Sequence, residues 1–62
     1  MHKNKYTYYW VIQGFYCGHW EDESWYDKSE FSFSDVRKDF REYCYKSQYS
    51  HRIINRRELN ED

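Results

Sequence analysis

The chain has 62 residues, a formal net charge of −1, 24% aromatic residues, two glycines, two cysteines and no proline. That length allows one domain at most, and so short a chain hides only about 60% of its unfolded surface on folding, so its core must be dense. Near-neutral charge gives no global attraction to nucleic acid, no apolar run approaches the ~20 residues that span a bilayer, and the aromatic content argues against disorder.

Residues 5 to 13, KYTYYWVIQ, are rich in aromatic and β-branched types without Gly or Pro, which predicts a strand. Gly14 and Gly18 bracket a bend, with Phe15 and Tyr16 extending the strand and Cys17, Gly18 and His19 near its tip. Residues 20 to 26 then read as the return strand of a hairpin. Its acids belong at a sheet edge, where charge discourages pairing with other chains.

Ser34 reads as an N-cap with Asp35 complementing the helix dipole, and a helix over residues 35 to 47 follows. Val36, Phe40, Tyr43 and Cys44 recur at helical spacing and make its apolar face. Residues 49 to 57 form a third strand centred on Ile53 and Ile54, and residues 58 to 62 read as a frayed polar tail. A right-handed helical crossover makes the third strand parallel to the second. The first strand, the most apolar, then fits between them, giving a single α+β domain over residues 1 to 62: a three-stranded antiparallel-type sheet of order 2-1-3 with one helix on one face.

Alternation sends Tyr49, His51, Ile53 and Asn55 to one side of the third strand and Arg52, Ile54 and Arg56 to the other, so the arginine side is expected to be bare. The first strand is apolar on both sides, with Tyr6, Tyr8, Trp10 and Ile12 on one and Tyr9 and Val11 on the other. One helix cannot cover both, and a large exposed apolar patch marks an interaction site. Three occupants compete for it: a second copy in a homodimer, a target protein anchored by Trp, Tyr and Arg, or single-stranded nucleic acid stacked on the aromatics. For the first and third, the residues to watch are Tyr6, Tyr8, Trp10, Arg52, Arg56 and Arg57. For a protein target they are Trp20, Glu21, Asp22, Glu23, Trp25 and Asp27, where charge could mimic nucleic acid or merely keep an edge soluble.

No catalytic or cofactor signature emerges. Cys17 and His19 lack a second pair at zinc-finger spacing, and the remaining histidines, His2 and His51, with Cys44 add none. A Cys17 nucleophile would need an oriented base and an oxyanion hole that so short a chain can hardly enclose. The expectation is a non-enzymatic protein without metal. Two cysteines are too few for a disulfide framework, and the N-terminal Met-His-Lys-Asn-Lys lacks an apolar signal core, which points to unbridged thiols in a reducing cytoplasm.

The segments WVIQGFY, WED, DVRKDFREYCYKS and HRIINRRE, in that order from Tyr9 to Glu58, resemble small orphan proteins of bacteriophages and related mobile elements. The chain departs from them in having no Ala, no Pro and a single Leu. Many such proteins have no known role, while some inhibit a bacterial defence system, such as a CRISPR nuclease, by binding it. The resemblance therefore implies a phage-type anti-defence inhibitor acting on a bacterial host protein. It brings no catalytic or binding residues with it.

Overall fold

The computed structural model describes residues 5–60. Strand β1 runs Tyr6–Tyr16, β2 runs His19–Asp27, helix α1 runs Phe33–Lys46 and β3 runs His51–Leu59. The sheet has the order β2-β1-β3, with β1 antiparallel to both neighbours. This is the expected α+β arrangement, with the most apolar strand in the centre.

Gly14 does not bend the chain; it lies inside β1, and the reversal is confined to Cys17 and Gly18. Both residues have positive φ, 51° and 86°, as a two-residue hairpin turn of the primed type requires. Glycine adopts that conformation freely, whereas Cys17 holds it against the contact between its Cβ and the backbone. Cys17→Asn should therefore raise stability by about 0.5–1 kcal/mol and Cys17→Val lower it by a similar amount, read as opposite shifts of the urea midpoint.

Helix α1 starts two residues before the expected position. Ser32 is its N-cap: the Ser32 hydroxyl accepts from the Asp35 amide, while the Ser32 amide donates to Asp35 Oδ2 at 3.0 Å. Ser34 could not have closed such a box, because the residue three further on is Arg37, which has no acceptor. Those hydrogen bonds to Ser32 hold the Asp35 carboxyl below the usual carboxylate range. Helix α1 presents Val36, Phe40 and Tyr43 to the sheet, but Cys44 is exposed, one step round from the buried stripe.

Strand β3 also ends later than expected. Glu58 and Leu59 pair with Thr7 and Tyr6, and beyond them the Asn60 amide donates to the Lys5 carbonyl at 2.8 Å. The tail therefore begins no earlier than residue 61, and residues 61 and 62, like His2, lie outside the described region.

The core is small. Ile12 and Val36 are fully buried, Tyr26 is 9% exposed, and Trp10, Phe40, Tyr43 and Ile53 pack around them. Trp10, Ile12, Tyr26 and Ile53 share one side of the sheet because Trp10 faces Tyr26 and Ile12 faces Ile53 in register. No described helix is long and apolar enough to cross a membrane.

Candidate functional site

Strand β2 carries one more residue than β1 between the pairs Ile12–Ser24 and Gln13–Asp22. The extra residue, Glu23, makes a bulge, and a bulge shifts the alternation of everything beyond it. Trp20 and Trp25, five apart, would point to opposite faces of a regular strand. The bulge puts both on the side away from α1, opposite Phe15 and Val11.

That open face is roofed by its own long side chains. Val11, at its centre, is 0% exposed and Gln13 is 5% exposed, although the helix lies on the other side. The Arg52 guanidinium stacks 4.2 Å from the Trp20 ring, and that of Arg56 lies 5.1 Å from Trp25. Trp20 and Trp25 meet Phe15 and Tyr9 edge-on, each at 5.1 Å. A polar chain ties the strands together: Arg52 Nε donates to Gln13 Oε1 at 2.8 Å, Gln13 Nε2 donates to Asp22 Oδ1 at 2.7 Å, and Arg56 Nη1 donates to Asp22 Oδ2 at 2.6 Å. The Gln13 bond, then Arg56, hold the Asp22 carboxyl below its usual range. The lattice is therefore intact at neutral pH and weakens as pH falls through that lowered value.

The other hairpin acids are spent elsewhere. Glu21 meets the His19 imidazole at 2.9 Å. Asp27 closes its own turn, accepting from the Ser29 amide and hydroxyl at 2.8 and 2.7 Å. Glu23 reaches the helix side, where it accepts from the Tyr16 hydroxyl and its Oε2 lies 3.4 Å from His51 Nε2. The six residues expected to form one acidic contact patch are thus split: Trp20, Asp22, Trp25 and Asp27 by register on the open face, Glu21 and Glu23 on the other.

The sheet likewise divides the residues expected to bind nucleic acid or a second copy. Tyr6, Tyr8, Trp10 and Arg57 lie on the helix side, because they share parity with Ile12 and, through the register, with Ile53. There Arg57 stacks on Tyr6 at 4.3 Å, and Trp10 is flanked by Phe33 and by Lys28. Arg52 and Arg56 are on the open face.

Beneath the end of α1 lies a polar cluster that strand patterning does not single out. The His51 side chain is 0% exposed; its Nδ1–H donates to the Tyr49 carbonyl at 3.0 Å, while buried Nε2 faces Glu23 without a hydrogen bond. Tyr16 folds back over Gly14 to reach Glu23, and a Cβ at position 14 would lie 2.6 Å from the Tyr16 ring. Only glycine leaves that path open. In sequence, the one signal was a glycine inside an aromatic strand.

Two tyrosines are held strongly in the neutral form. The hydrogen bond to Glu23 pushes Tyr16 up to about 12, and burial followed by the bond to Asp39 pushes Tyr26 up to about 12. Both values lie above the ordinary tyrosine value of about 10, so this stabilisation is complete below pH ~10 and is lost as pH rises towards 12. A tyrosinate absorbance titration should show two of the eight tyrosines ionising near pH 12 together with the loss of circular dichroism. All eight ionising near pH ~10 with the fold intact would contradict both contacts.

Among the described residues no three His, Cys, Asp or Glu side chains converge as a metal cage requires, and Cys17 and Cys44 are free and exposed. Comparisons of the chain with known protein families, with curated proteins and with solved structures found no match.

Proposed function

We propose that the chain is a non-catalytic protein-binding module whose contact surface is the open face of the sheet. The observation that carries this reading is the paired stacking of Arg52 on Trp20 and Arg56 on Trp25, fixed across the three strands by Gln13 and Asp22. Trp, Tyr and Arg held rigidly on a flat element are the side chains that dominate protein interfaces, and anchors locked before binding lose little entropy on contact. Charge favours a protein over nucleic acid. Arg56 is neutralised by Asp22, Arg57 lies on the opposite face, and phosphate recognition needs free cations gathered on one side.

The resemblance to phage-encoded proteins makes a bacterial antiviral effector, such as a CRISPR nuclease, the first target to try, with the chain as its inhibitor in the host cytoplasm. The test is phage plating on bacteria carrying one defence system and expressing either the chain or a Trp25→Ala, Arg52→Ala variant. The native chain should restore plating and the variant should not, while neither binds a fluorescent single-stranded oligonucleotide. Tight oligonucleotide binding by the native chain, lost in the variant, would replace this reading with the nucleic-acid one.

A further inference from the structure

Helix α1 and strand β2 both stop short of one end of the sheet. The helix has 14 residues and spans about 21 Å, whereas β1 has 11 residues and spans about 36 Å. The helix meets Trp10 through Phe33 at its start and His51 through Tyr43 near its end, so Tyr6 and Tyr8 lie beyond it on the same side of the sheet. Strand β2 pairs no further than Asp27 with Tyr9. The Lys28 amide still donates to the Tyr8 carbonyl at 3.0 Å, and the chain then turns back, with the Glu30 and Phe31 amides donating to the Asp27 carbonyl. Among the described residues, β1 is flanked from there outwards by β3 alone.

The same bonds fix which way the backbone of β1 points. The Tyr8 carbonyl faces β2, and the Lys5 carbonyl, which accepts from the Asn60 amide, faces β3. Alternation along an antiparallel strand then turns the Tyr6 N–H and C=O into the lane that β2 leaves open, where no described residue pairs with them. Beside this lane the side chains are apolar and basic. Tyr8 is 49% exposed and Leu59 60%, while Tyr6 is half-buried. The Arg57 guanidinium crosses from β3 to lie 4.3 Å from the Tyr6 ring centroid, Lys5 Nζ lies 5.8 Å from it, and Lys28 Nζ sits 5.0 Å from the Trp10 ring at the inner end. Stacking uses the face of a guanidinium and leaves its N–H edge free to bond. Among the described residues none of these three cations has an ion-pair partner, whereas Arg56 is held by Asp22. No acid stands on this side of the two strands here, because Glu58, paired with Thr7, faces the other way.

From this juxtaposition we propose that the lane takes an extended acidic segment of a partner protein, added to β1 as a short strand in the line of β2. The surface is separate from the open face. A polypeptide supplies the C=O and N–H that Tyr6 calls for, and its carboxylates on the helix side meet Lys28, Lys5 and Arg57 with their methylenes resting on Tyr6 and Tyr8. Single-stranded nucleic acid offers phosphates but no matching backbone, and a net charge of −1 gives it no long-range attraction. Lysines beside a bare edge turn away ordinary strands and favour one of opposite charge.

The experiment is an NMR titration of the isotope-labelled full chain with a capped peptide of alternating Glu and Val. The amide signals of Tyr6, Thr7 and Tyr8 should shift while those of Trp20 and Trp25 stay in place. Arg57→Glu should weaken binding about tenfold. Tyr6→Pro deletes the ring and the lane-facing N–H without touching a bond to β3, so it should weaken binding about fivefold more than Tyr6→Ala, which deletes the ring alone. Circular dichroism confirms that each variant folds, and the chain carrying Trp25→Ala and Arg52→Ala should bind the peptide as the native chain does. Strand addition is overturned by a native chain whose Tyr6, Thr7 and Tyr8 signals do not move, by equal binding of a Lys and Val peptide, or by equal losses in Tyr6→Pro and Tyr6→Ala. Stronger shifts of the same amides by oligothymidylate overturn it in favour of nucleic acid, and shifts on concentrating the chain alone overturn it in favour of a second copy. The open-face reading stands or falls separately, by the plating assay and its own variant.

Discussion

Ile12→Ala should remove about half of the fold's stability. Ile12 is fully buried between Tyr26 and Val36 at the one place where sheet and helix share a core. Truncating such a side chain costs about 2–5 kcal/mol, through lost transfer energy and the cavity left behind. A domain of this size holds only about 3–9 kcal/mol in all, at roughly 0.05–0.15 kcal/mol per residue. The matched control is Val11→Ala on the opposite face, also fully buried, but beneath arginine and tryptophan side chains rather than a helix. Long side chains close over a gap more easily than a helix backbone can, so the Val11 loss should be about half that of Ile12. Urea denaturation of the two variants checks both expectations. Equal losses would mean that the roof of arginines and tryptophans packs as tightly as α1.

Glu23→Ala should be the most damaging change to a charged residue. It removes the acceptor of the Tyr16 hydroxyl and the carboxylate that stands 3.4 Å from the buried His51 Nε2, which has no hydrogen bond of its own. The Tyr16 hydroxyl is then left without its partner, and the one carboxylate near a buried imidazole nitrogen is gone. Glu23→Gln keeps an acceptor for Tyr16 and deletes only the charge, so it should recover at least half of the loss. If Gln proves as harmful as Ala in thermal denaturation, attraction between the carboxylate and His51, rather than the Tyr16 hydrogen bond, holds the cluster. The effect belongs to this site: Glu21, two residues away, bonds an exposed histidine, and its removal should cost little.

Much of the fold is legible in local pattern. KYTYYWVIQ is a strand because β-branched and aromatic side chains fit a pleated surface, and Val36, Phe40 and Tyr43 mark a helix because their spacing matches its turn. Strand order follows from the handed crossover and from the most apolar strand seeking the centre. The separation of Ile53 from Arg52, Ile54 and Arg56 is equally local, since alternation depends on nothing beyond β3 itself. A capping box between Ser32 and Asp35 was also present to be read, and it outranked the single serine nearer the apolar stripe.

The candidate site was not legible in the same way. By simple alternation Glu21, Glu23 and Asp27 share a side with Trp25, and Trp20 and Asp22 point the other way. The bulge at Glu23 moves Trp25 and Asp27 to the side of Trp20 and Asp22, and a bulge is set by pairing with β1, which no stretch of β2 encodes alone. The aromatic surplus on β1 looked like surface in need of a partner on whichever side lacked the helix. Instead Arg52 and Arg56 cross from β3 to lie against tryptophans of β2 and bury Val11 between them. The sequence alone determined which segments are strands or helix and which side of β3 carries charge, because these depend on residues near in the chain. Tertiary structure decided which acids remain at the open face, which side chains roof the sheet, and that Tyr16, Glu23 and His51 meet under the helix, because each of these joins residues that only register brings together.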